Sequence, residues 1–205
     1  MNQQHLFLTS SGLSDDMKRK FFEIIGKDPD KIKILYIPTA GIETDEAREG
    51  IAVCLYELSR MGILYENILI YNLELLVSKD YRRTYSSYIH QPSMLTRLLT
   101  AEEMETFDAV FVSGGDSDVL CREMVRTGFG RTLASAINNS LIYVGISAGS
   151  MYAAGNLDEG LHIIPNPIIP HWTGDKLTEL PGGKEPIRLT DGQAIYIETQ
   201  NINLL

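Results

Sequence analysis

Short apolar runs alternate with amphipathic stretches over most of the chain. Runs of Ile, Leu, Val, Phe and Tyr bounded by turn residues predict buried strands at residues 5–9, 32–37, 68–71 and 107–113, and in the run that begins at residue 141. Apolar residues at helical spacing predict helices at residues 15–25, 44–61, 117–126 and 131–138, and a capping box at residues 100–103 opens a further short helix. Because strands alternate with helices, the pattern predicts βαβ units and an α/β fold with a mostly parallel sheet.

Two parts of the chain depart from this alternation. Short β segments are predicted at residues 161–164, 187–189 and 194–198, with no helix between them. The segment 79–92 carries three tyrosines, three basic residues and one histidine, His90, without a clean period. A connection of this length is typical either of a lid over a functional site or of a plain surface loop, and the sequence leaves both interpretations open.

Composition restricts the class of protein. With 205 residues, of which 44% are hydrophobic, the chain can bury one large core, and we expect a single α/β domain over residues 1–205. The net charge of −9 and the pI near 4.9 give no basic surface for nucleic acid. The uncharged run 133–156 contains too many Asn, Ser and Gly residues for a membrane span, so no membrane partner is expected.

Cysteine usage and the first residues bear on the compartment. Cys54 and Cys121 both fall in predicted helices, which is typical of reduced core thiols rather than of a disulfide or a metal site. Residues 1–10 lack the basic start and the long apolar region of a signal peptide. We therefore expect a cytoplasmic protein.

The candidate chemistry centres on Gly145-Ile-Ser-Ala-Gly149, a G-x-S-x-G motif at the end of an apolar run. A serine in this position is typical of a nucleophile elbow, where a strand turns sharply into a helix and presents Oγ above the sheet. Glycine is needed at both ends because side chains there would collide with the neighbouring strand. The helix that begins at Ala148 would also direct free backbone N–H groups at Ser147. The motif is short and recurs by chance, so other residues must decide.

An acyl-transfer site also needs a base, an acid that orients the base, and N–H donors for the oxyanion. His171 lies in a loop beyond an apolar run and a proline, whereas His5 and His162 fall in predicted β segments. A base must reach the elbow from such a strand-end loop. Gly114 and Gly115 follow the strand 107–113 and would let backbone N–H groups approach a substrate, although an ordinary strand-to-helix turn explains them equally well when they are taken alone.

Four motifs resemble the dipeptidase E (aspartyl dipeptidase) family of serine peptidases, and they occur in the order of that family. They are Ile34-Leu-Tyr-Ile-Pro-Thr-Ala40, Ala109-Val-Phe-Val-Ser-Gly-Gly-Asp116, Gly145-Ile-Ser-Ala-Gly149, and Pro170-His171 followed by Asp191-Gly192. The family is similar in fold to class I glutamine amidotransferases. The resemblance therefore implies a flavodoxin-like, three-layer α/β/α architecture.

The resemblance also implies roles for individual residues. Ser147 would be the nucleophile, His171 the base, and Asp191 the acid that orients the base. The backbone N–H groups of Gly115 and Ala148 would form the oxyanion hole. The expected substrate contacts are Gly114, Asp116 and Trp172.

Two other acids lie between Ser147 and His171 in the chain, namely Asp158 and Glu159. The stretch Asn-Leu-Asp-Glu-Gly around them is good turn chemistry, so solvated turn carboxylates explain this pair. Asp191 instead lies between two predicted β segments, where Gly192 allows a tight turn. That turn can aim a buried carboxylate at the base.

The chain departs from the family at three points. Asp116 stands where the family usually has asparagine, and an ionised carboxylate would oppose the charge that develops on the oxyanion unless it points away or reads a positive group of the substrate. The stretch between Ser147 and His171 is shorter than in the aspartyl dipeptidases. No arginine follows His171 until Arg188, so the sequence near His171 offers no arginine to bind the side chain of a substrate aspartate.

Two functions follow from these residues. The first is a serine hydrolase that cleaves small peptides, or another small amide, through a Ser-His-Asp triad and needs no metal and no organic cofactor. The second is an amidotransferase-like domain that binds a small ligand or a partner and has lost turnover, as Asp116 and the shortened stretch would permit. Serine rather than cysteine at position 147 argues against glutamine amidotransferase chemistry.

Overall fold

The computed structural model describes residues 3–76, 96–199 and 201–205, and the irregular segment 79–92 with His90 lies outside them. Within these ranges the chain forms nine β-strands and six α-helices. The strands are β1 (His5–Thr9), β2 (Ile34–Ile37), β3 (Ile68–Ile70), β4 (Ala109–Val112), β5 (Ile142–Ile146), β6 (Ile168–Ile169), β7 (Ile187–Arg188), β8 (Ala194–Glu198) and β9 (Asn201–Leu204). The helices are α1 (Asp15–Ile25), α2 (Asp45–Arg60), α3 (Ala101–Met104), α4 (Ser117–Thr127), α5 (Phe129–Asn138) and α6 (Ala148–Ala153).

Seven of these strands form one sheet in the order β3-β2-β4-β5-β1-β8-β9. The five strands from β3 to β1 are parallel, β8 runs antiparallel to β1, and β9 runs antiparallel to β8. Strands β6 and β7 form a separate parallel pair, in which Ile168 lies opposite Ile187. The predicted mostly parallel sheet is therefore confirmed.

Apolar side chains line both faces of the sheet, and helices cover each face. On β1, Phe7 packs on the side of α1 and α2, whereas Leu6 and Leu8 pack on the side of α4, α5 and α6. Successive side chains of a strand point to opposite faces, so a strand buried on both faces needs apolar residues at nearly every position. This is why the strands read as continuous apolar runs. The three-layer α/β/α architecture is confirmed.

Local signals in the sequence set several helix ends. The Ser14 hydroxyl accepts a hydrogen bond from the Met17 N–H at the start of α1, and Gly26, with φ of 62°, ends that helix. The predicted capping box also forms, because the Glu103 N–H donates to Thr100 Oγ1 at 3.2 Å and the Thr100 N–H donates to Glu103 Oε2 at 2.8 Å.

Helix α2 packs less closely on the sheet than the other long helices. The structure describes all 16 of its residues, and of these only Leu58 is buried. Val53 and Tyr56 are each 61% exposed. A helix held by so few buried side chains leaves space between itself and the sheet.

One predicted strand is wrong and two observed strands were not predicted. Residues 161–164 form no strand, and their backbone makes isolated hydrogen bonds to the end of α6 instead. Ile164 is buried there, so its apolar character reflects packing rather than strand pairing. Strands β6 and β9 escaped prediction because β6 has two residues and the residues of β9 at the sheet edge are mostly exposed.

The uncharged run 133–156 forms the end of α5, the strand β5 and the helix α6. In the part of the chain that the structure describes, no helix has both the length and the apolar character required to cross a bilayer.

Candidate active site

The candidate site residues gather at the edge of the sheet where the parallel strands end. Gly114 follows β4, Ser147 follows β5 and Ser10 follows β1, while Asp191 precedes the antiparallel strand β8 and so reaches the same edge. Because β4, β5, β1 and β8 are neighbours in that order, these residues form a row. The carboxyl edge of a parallel sheet is where open α/β folds bind ligands.

The elbow lies between β5 and α6. Ser147 has φ of 48° and ψ of −105°, a strained conformation that turns the chain sharply from strand into helix. Gly149 is required next to it, because a Cβ there would lie 2.2 Å from the Val112 carbonyl oxygen on the neighbouring strand β4. The buried Ser150 hydroxyl lies 2.8 Å from backbone carbonyl oxygens of both β1 and β5, and its hydrogen bonding holds the turn against the sheet.

His171 reaches Ser147 from the small sheet of β6 and β7. It follows β6 and Pro170, and its φ of 54° turns the imidazole towards the elbow. Its Nε2 lies 3.0 Å from Ser147 Oγ, and its Nδ1 lies 2.8 Å from Asp191 Oδ1. A carboxylate oxygen can only accept a hydrogen bond, so Nδ1 carries the proton and Nε2 is free to accept the Ser147 hydroxyl proton.

Asp191 lies in the turn before β8, where Gly192 has φ of 86°. Partial burial raises the pKa of the Asp191 carboxyl, but hydrogen bonds from Ser10 and His171 outweigh this effect and hold the pKa below its usual value. The expectation of a buried carboxylate is wrong, because the Asp191 side chain is 62% exposed. Its orientation is therefore set by hydrogen bonds more than by enclosure.

Ser10 is the site residue that sequence reasoning missed. Its hydroxyl donates to Asp191 Oδ1 at 2.9 Å and accepts the His171 backbone N–H at 2.7 Å. Ser10 is fully buried, and one hydroxyl thus fixes both the carboxylate and the left-handed backbone of the histidine. In the sequence it stands in an ordinary Ser-Ser-Gly loop. Its partners are 161 and 181 residues away, so no local signal identifies it.

Gly114 and Gly115 lie beside the elbow. A Cβ on Gly114 would be 3.1 Å from the Cβ of Ser147, so the two backbones are in close contact. Gly115 has φ of 130°, and a Cβ there would lie 2.0 Å from the Ala40 carbonyl oxygen, which no side chain can satisfy. The Gly115 N–H and the N–H of Ala148, the first residue of α6, are the candidate oxyanion donors.

The Asp116 side chain caps helix α4. Its Oδ1 accepts the backbone N–H groups of Asp118 at 2.8 Å and Val119 at 3.1 Å. Aspartate and asparagine are equally good in this position, and a negative charge at a helix N-terminus is favourable. The Asp-for-Asn departure from the family therefore has a structural role, and this oxygen is engaged by its own helix.

Trp172, in the loop after β6, and Arg188, the last residue of β7, lie together beside His171. The Arg188 guanidinium stands 5.2 Å from the centre of the Trp172 ring, and the Trp172 backbone N–H donates to the Leu189 carbonyl oxygen at 3.0 Å. Trp172 is 39% exposed. Arg188 is thus close in space to His171, although the sequence separates them.

The other acids and histidines lie elsewhere. Asp158 and Glu159 line a surface cavity with Arg131 of α5. The Asp158 carbonyl oxygen lies 3.0 Å from Nε2 of His162, which is in a loop rather than in the predicted strand. His5 pairs with the Tyr196 hydroxyl through Nδ1 at 2.7 Å. Among the described residues no group of three or more His, Cys, Asp and Glu side chains could hold a metal ion, and both cysteines are unpaired.

A model of peptidase family S51 matches residues 88–205, which is more than half of the chain. The chain belongs to peptidase family S51. This match confirms the resemblance to the dipeptidase E family that the four sequence motifs indicated. The S51 match includes Ser147, His171 and Asp191, whereas Ser10 and helix α2 precede it.

Two curated relatives align with this S51 chain over shorter stretches. It is 35% identical over 82 residues to peptidase E of Streptomyces coelicolor, which covers 34% of each chain. It is 27% identical over 89 residues to an uncharacterised peptidase of Pasteurella multocida, which covers 35% of this chain and 43% of that one. The chain therefore matches less than half the length of either relative.

Solved structures share the fold over the whole chain. A candidate peptidase E protein of Listeria monocytogenes EGD-e superposes with a TM-score of 0.63 at 18% identity and covers 100% of this chain and 98% of its own. A peptidase from an acI-B1 actinobacterium has a TM-score of 0.60 at 19% identity and covers 98% of this chain and 87% of its own. At these identities the likeness establishes the fold.

Proposed function

We propose that this S51 member is a serine peptidase that hydrolyses small peptides, with Ser147 as the nucleophile, His171 as the base and Asp191 as the acid that orients the base. The observation that carries the proposal is the continuous hydrogen-bonded chain, 3.0 Å from Ser147 Oγ to His171 Nε2 and 2.8 Å from His171 Nδ1 to Asp191 Oδ1. Both distances lie within the reach that proton transfer needs. Membership of a peptidase family supports a peptide substrate, and the resemblance to dipeptidase E implies that the peptide is small.

In the proposed reaction Ser147 Oγ attacks the scissile carbonyl carbon while its proton passes to His171 Nε2. The carbonyl oxygen becomes an oxyanion, which the N–H groups of Gly115 and Ala148 stabilise. His171 then gives the proton to the leaving amine nitrogen as the C–N bond breaks, and an acyl-enzyme remains. Water, deprotonated by His171, releases the acid product and restores Ser147. Asp191 stabilises the imidazolium in both halves of the reaction.

The alternative is a binding domain that has lost turnover. The capping role of Asp116 supports the hydrolase instead, because that carboxylate oxygen is engaged by α4. A fluorophosphonate probe separates the two functions, since it reacts covalently only with an activated serine. We expect labelling of the native protein at Ser147 and none of the Ser147→Ala variant. An unlabelled native protein that retains its fold would favour the binding domain.

Acidification is expected to abolish hydrolysis, because His171 must be neutral to accept the Ser147 proton. Protonation of Asp191 does not cause this loss, because the pKa of its carboxyl is below the usual value and the carboxylate stays ionised as the solution is acidified towards that pKa. The value of kcat/KM should therefore fall as the pH is lowered. Protein held at the acid end and assayed at the alkaline end controls for unfolding. A flat profile would contradict the role of His171.

Ser10→Ala is expected to lower kcat by about tenfold, with little change in KM. This is the value of one hydrogen bond from a neutral hydroxyl to a charged carboxylate. The pKa of Asp191 should rise, because the lost hydrogen bond favours the ionised form. Both quantities can be measured, by steady-state kinetics and by ¹³C NMR titration of the aspartate carboxyl carbons.

Ser14→Ala is the matched control for Ser10→Ala. It removes a helix cap outside the site and should lower stability by about 1 kcal/mol without changing kcat. If Ser10→Ala left the pKa of Asp191 and kcat unchanged and lowered only stability, as we expect of Ser14→Ala, Ser10 would be a purely structural residue.

A further inference from the structure

A cavity of about 740 Å³ extends from Ser147 and His171 to the space beneath helix α2. We call it the α2 cavity. It exists because α2 buries little of its surface against the sheet, with Leu58 as its one buried residue. Its volume is in the range of sites that enclose a small ligand.

The walls of the α2 cavity are mainly apolar. They include Leu58 and Met61 at the end of α2, Phe111 of β4 and Ile146 of β5. Ile146 immediately precedes the candidate nucleophile. A side chain attached next to the scissile carbonyl can therefore enter the cavity while the carbonyl carbon stays at Ser147.

Two hydroxyl groups in the lining of the α2 cavity are poorly satisfied by the described residues around them. Tyr36 Oη and Ser113 Oγ are buried close to each other and to the Cys54 thiol, and neither makes a well-formed hydrogen bond within the described part of the chain. A buried hydroxyl without a well-formed hydrogen bond is costly. A ligand that is apolar along most of its length and polar at its far end could form hydrogen bonds with these two hydroxyls.

These groups are uncharged at neutral pH. Burial raises the pKa of the Tyr36 hydroxyl well above its usual value and raises the pKa of the neighbouring Cys54 thiol to about 12. The cavity floor thus offers neutral hydrogen-bond donors and acceptors and no fixed charge.

The charged residues of the cavity do not favour an acidic ligand. Lys18 is the only lysine or arginine among its described lining residues, and its Nζ is already 2.8 Å from Glu57 Oε2. Glu46 and Glu57 also line the cavity. Among the described lining residues a substrate carboxylate would find no free cation to pair with, and its desolvation would be costly.

We propose that the α2 cavity holds the substrate side chain next to the scissile bond and selects large, uncharged side chains with a hydrogen-bonding tip, tyrosine before phenylalanine and both before aspartate. This inference rests on the proposed function, because it takes Ser147 as the point of cleavage. It assigns the substrate class by the chemistry of the lining residues Tyr36, Ser113, Phe111 and Met61.

The test measures binding separately from turnover. The Ser147→Ala variant, which cannot turn over, is titrated calorimetrically with Tyr-Ala, Phe-Ala and Asp-Ala and with the same dipeptides in reversed order. For whichever of the two residue orders binds better, we expect the tyrosine dipeptide to bind about tenfold more tightly than the phenylalanine dipeptide, which is the value of one hydrogen bond. The aspartate dipeptide should bind most weakly. Adding Tyr36→Phe should remove the preference for tyrosine over phenylalanine and leave phenylalanine binding unchanged.

Gly50→Trp is the blocking variant. Gly50 lines the α2 cavity, and a Cβ there would meet no atom within 4 Å, so the indole can occupy the space without strain. We expect it to weaken binding of all these dipeptides at least tenfold, whereas Glu49→Trp, at an exposed position outside the lining, should not.

The outcomes separate the two proposals. Tight binding of aspartate, or a tyrosine preference that survives Tyr36→Phe, overturns the cavity inference even if Ser147 is the nucleophile. Binding with the predicted preference in Ser147→Ala supports the cavity inference, including the case in which the native protein hydrolyses none of the dipeptides. In that case the proposed function alone fails.

Discussion

Ser147→Ala is expected to fold normally and to lose hydrolysis by about 10⁵-fold or more in kcat, because triad residues act as a unit and the remaining rate comes from substrate binding and the oxyanion hole. The fold should tolerate the change, since the contact of Ser147 Oγ is with the exposed His171 side chain. Steady-state kinetics on small peptides and thermal unfolding measure the two effects. Native-like kcat in the variant would eliminate Ser147 as the nucleophile.

The matched control lies three residues further on at the same elbow. Ser150 is fully buried, and its hydroxyl bonds to the sheet backbone rather than to His171. Ser150→Ala should therefore lower the free energy of unfolding by about 1–3 kcal/mol while kcat falls far less than in Ser147→Ala. Similar losses of kcat in the two variants would mean that the elbow is sensitive to any change and that neither serine is identified as the nucleophile.

Asp191→Asn is expected to keep the fold and to lower kcat by about 10³-fold. An asparagine can donate to Nδ1 and so favour the wrong imidazole tautomer, which costs about 10⁴-fold where the triad aspartate is buried. The effect should be smaller here because the Asp191 side chain is 62% exposed and water screens its charge. The measurement is kcat and KM under conditions where both proteins are folded, with KM expected to change little.

Asp158→Asn and Glu159→Gln are the comparison variants. Both carboxylates lie on the cavity beside α5, and neither contacts His171 within the described structure. Each change should alter kcat by less than about tenfold, or under about 1.4 kcal/mol in the barrier. If either variant lost more activity than Asp191→Asn, the assignment of the orienting acid would be overturned.

The fold was predictable because its signals are local. Strands buried on both faces require continuous apolar runs, and helices such as α1 carry their own cap in Ser14 and their own stop in Gly26. The prediction failed at residues 161–164, where the same apolar character serves burial of Ile164 without strand pairing. A short apolar run cannot distinguish these two cases.

The candidate site was predictable where a motif carries it. The elbow is encoded within five residues, because Gly149 is required by the closeness of β4 to the turn. His171 and Asp191 were assigned by family resemblance, since their mutual distance depends on the small sheet of β6 and β7, of which β6 was not predicted. The capping role of Asp116 could have been read from its position directly before helix α4, where aspartate is a favoured residue.

The sequence by itself determined the α/β alternation, the strand-to-helix turn at Ser147 and the residue types of the proposed triad, because each depends on neighbours within a few positions. Only the tertiary structure decided that Ser10 joins His171 to Asp191, that Asp191 is exposed, and that space remains beneath α2 beside Tyr36. Each of these features depends on contacts between segments far apart in the chain. Apolar periodicity shows which face of a segment is buried, but it does not show which distant segment that face will contact.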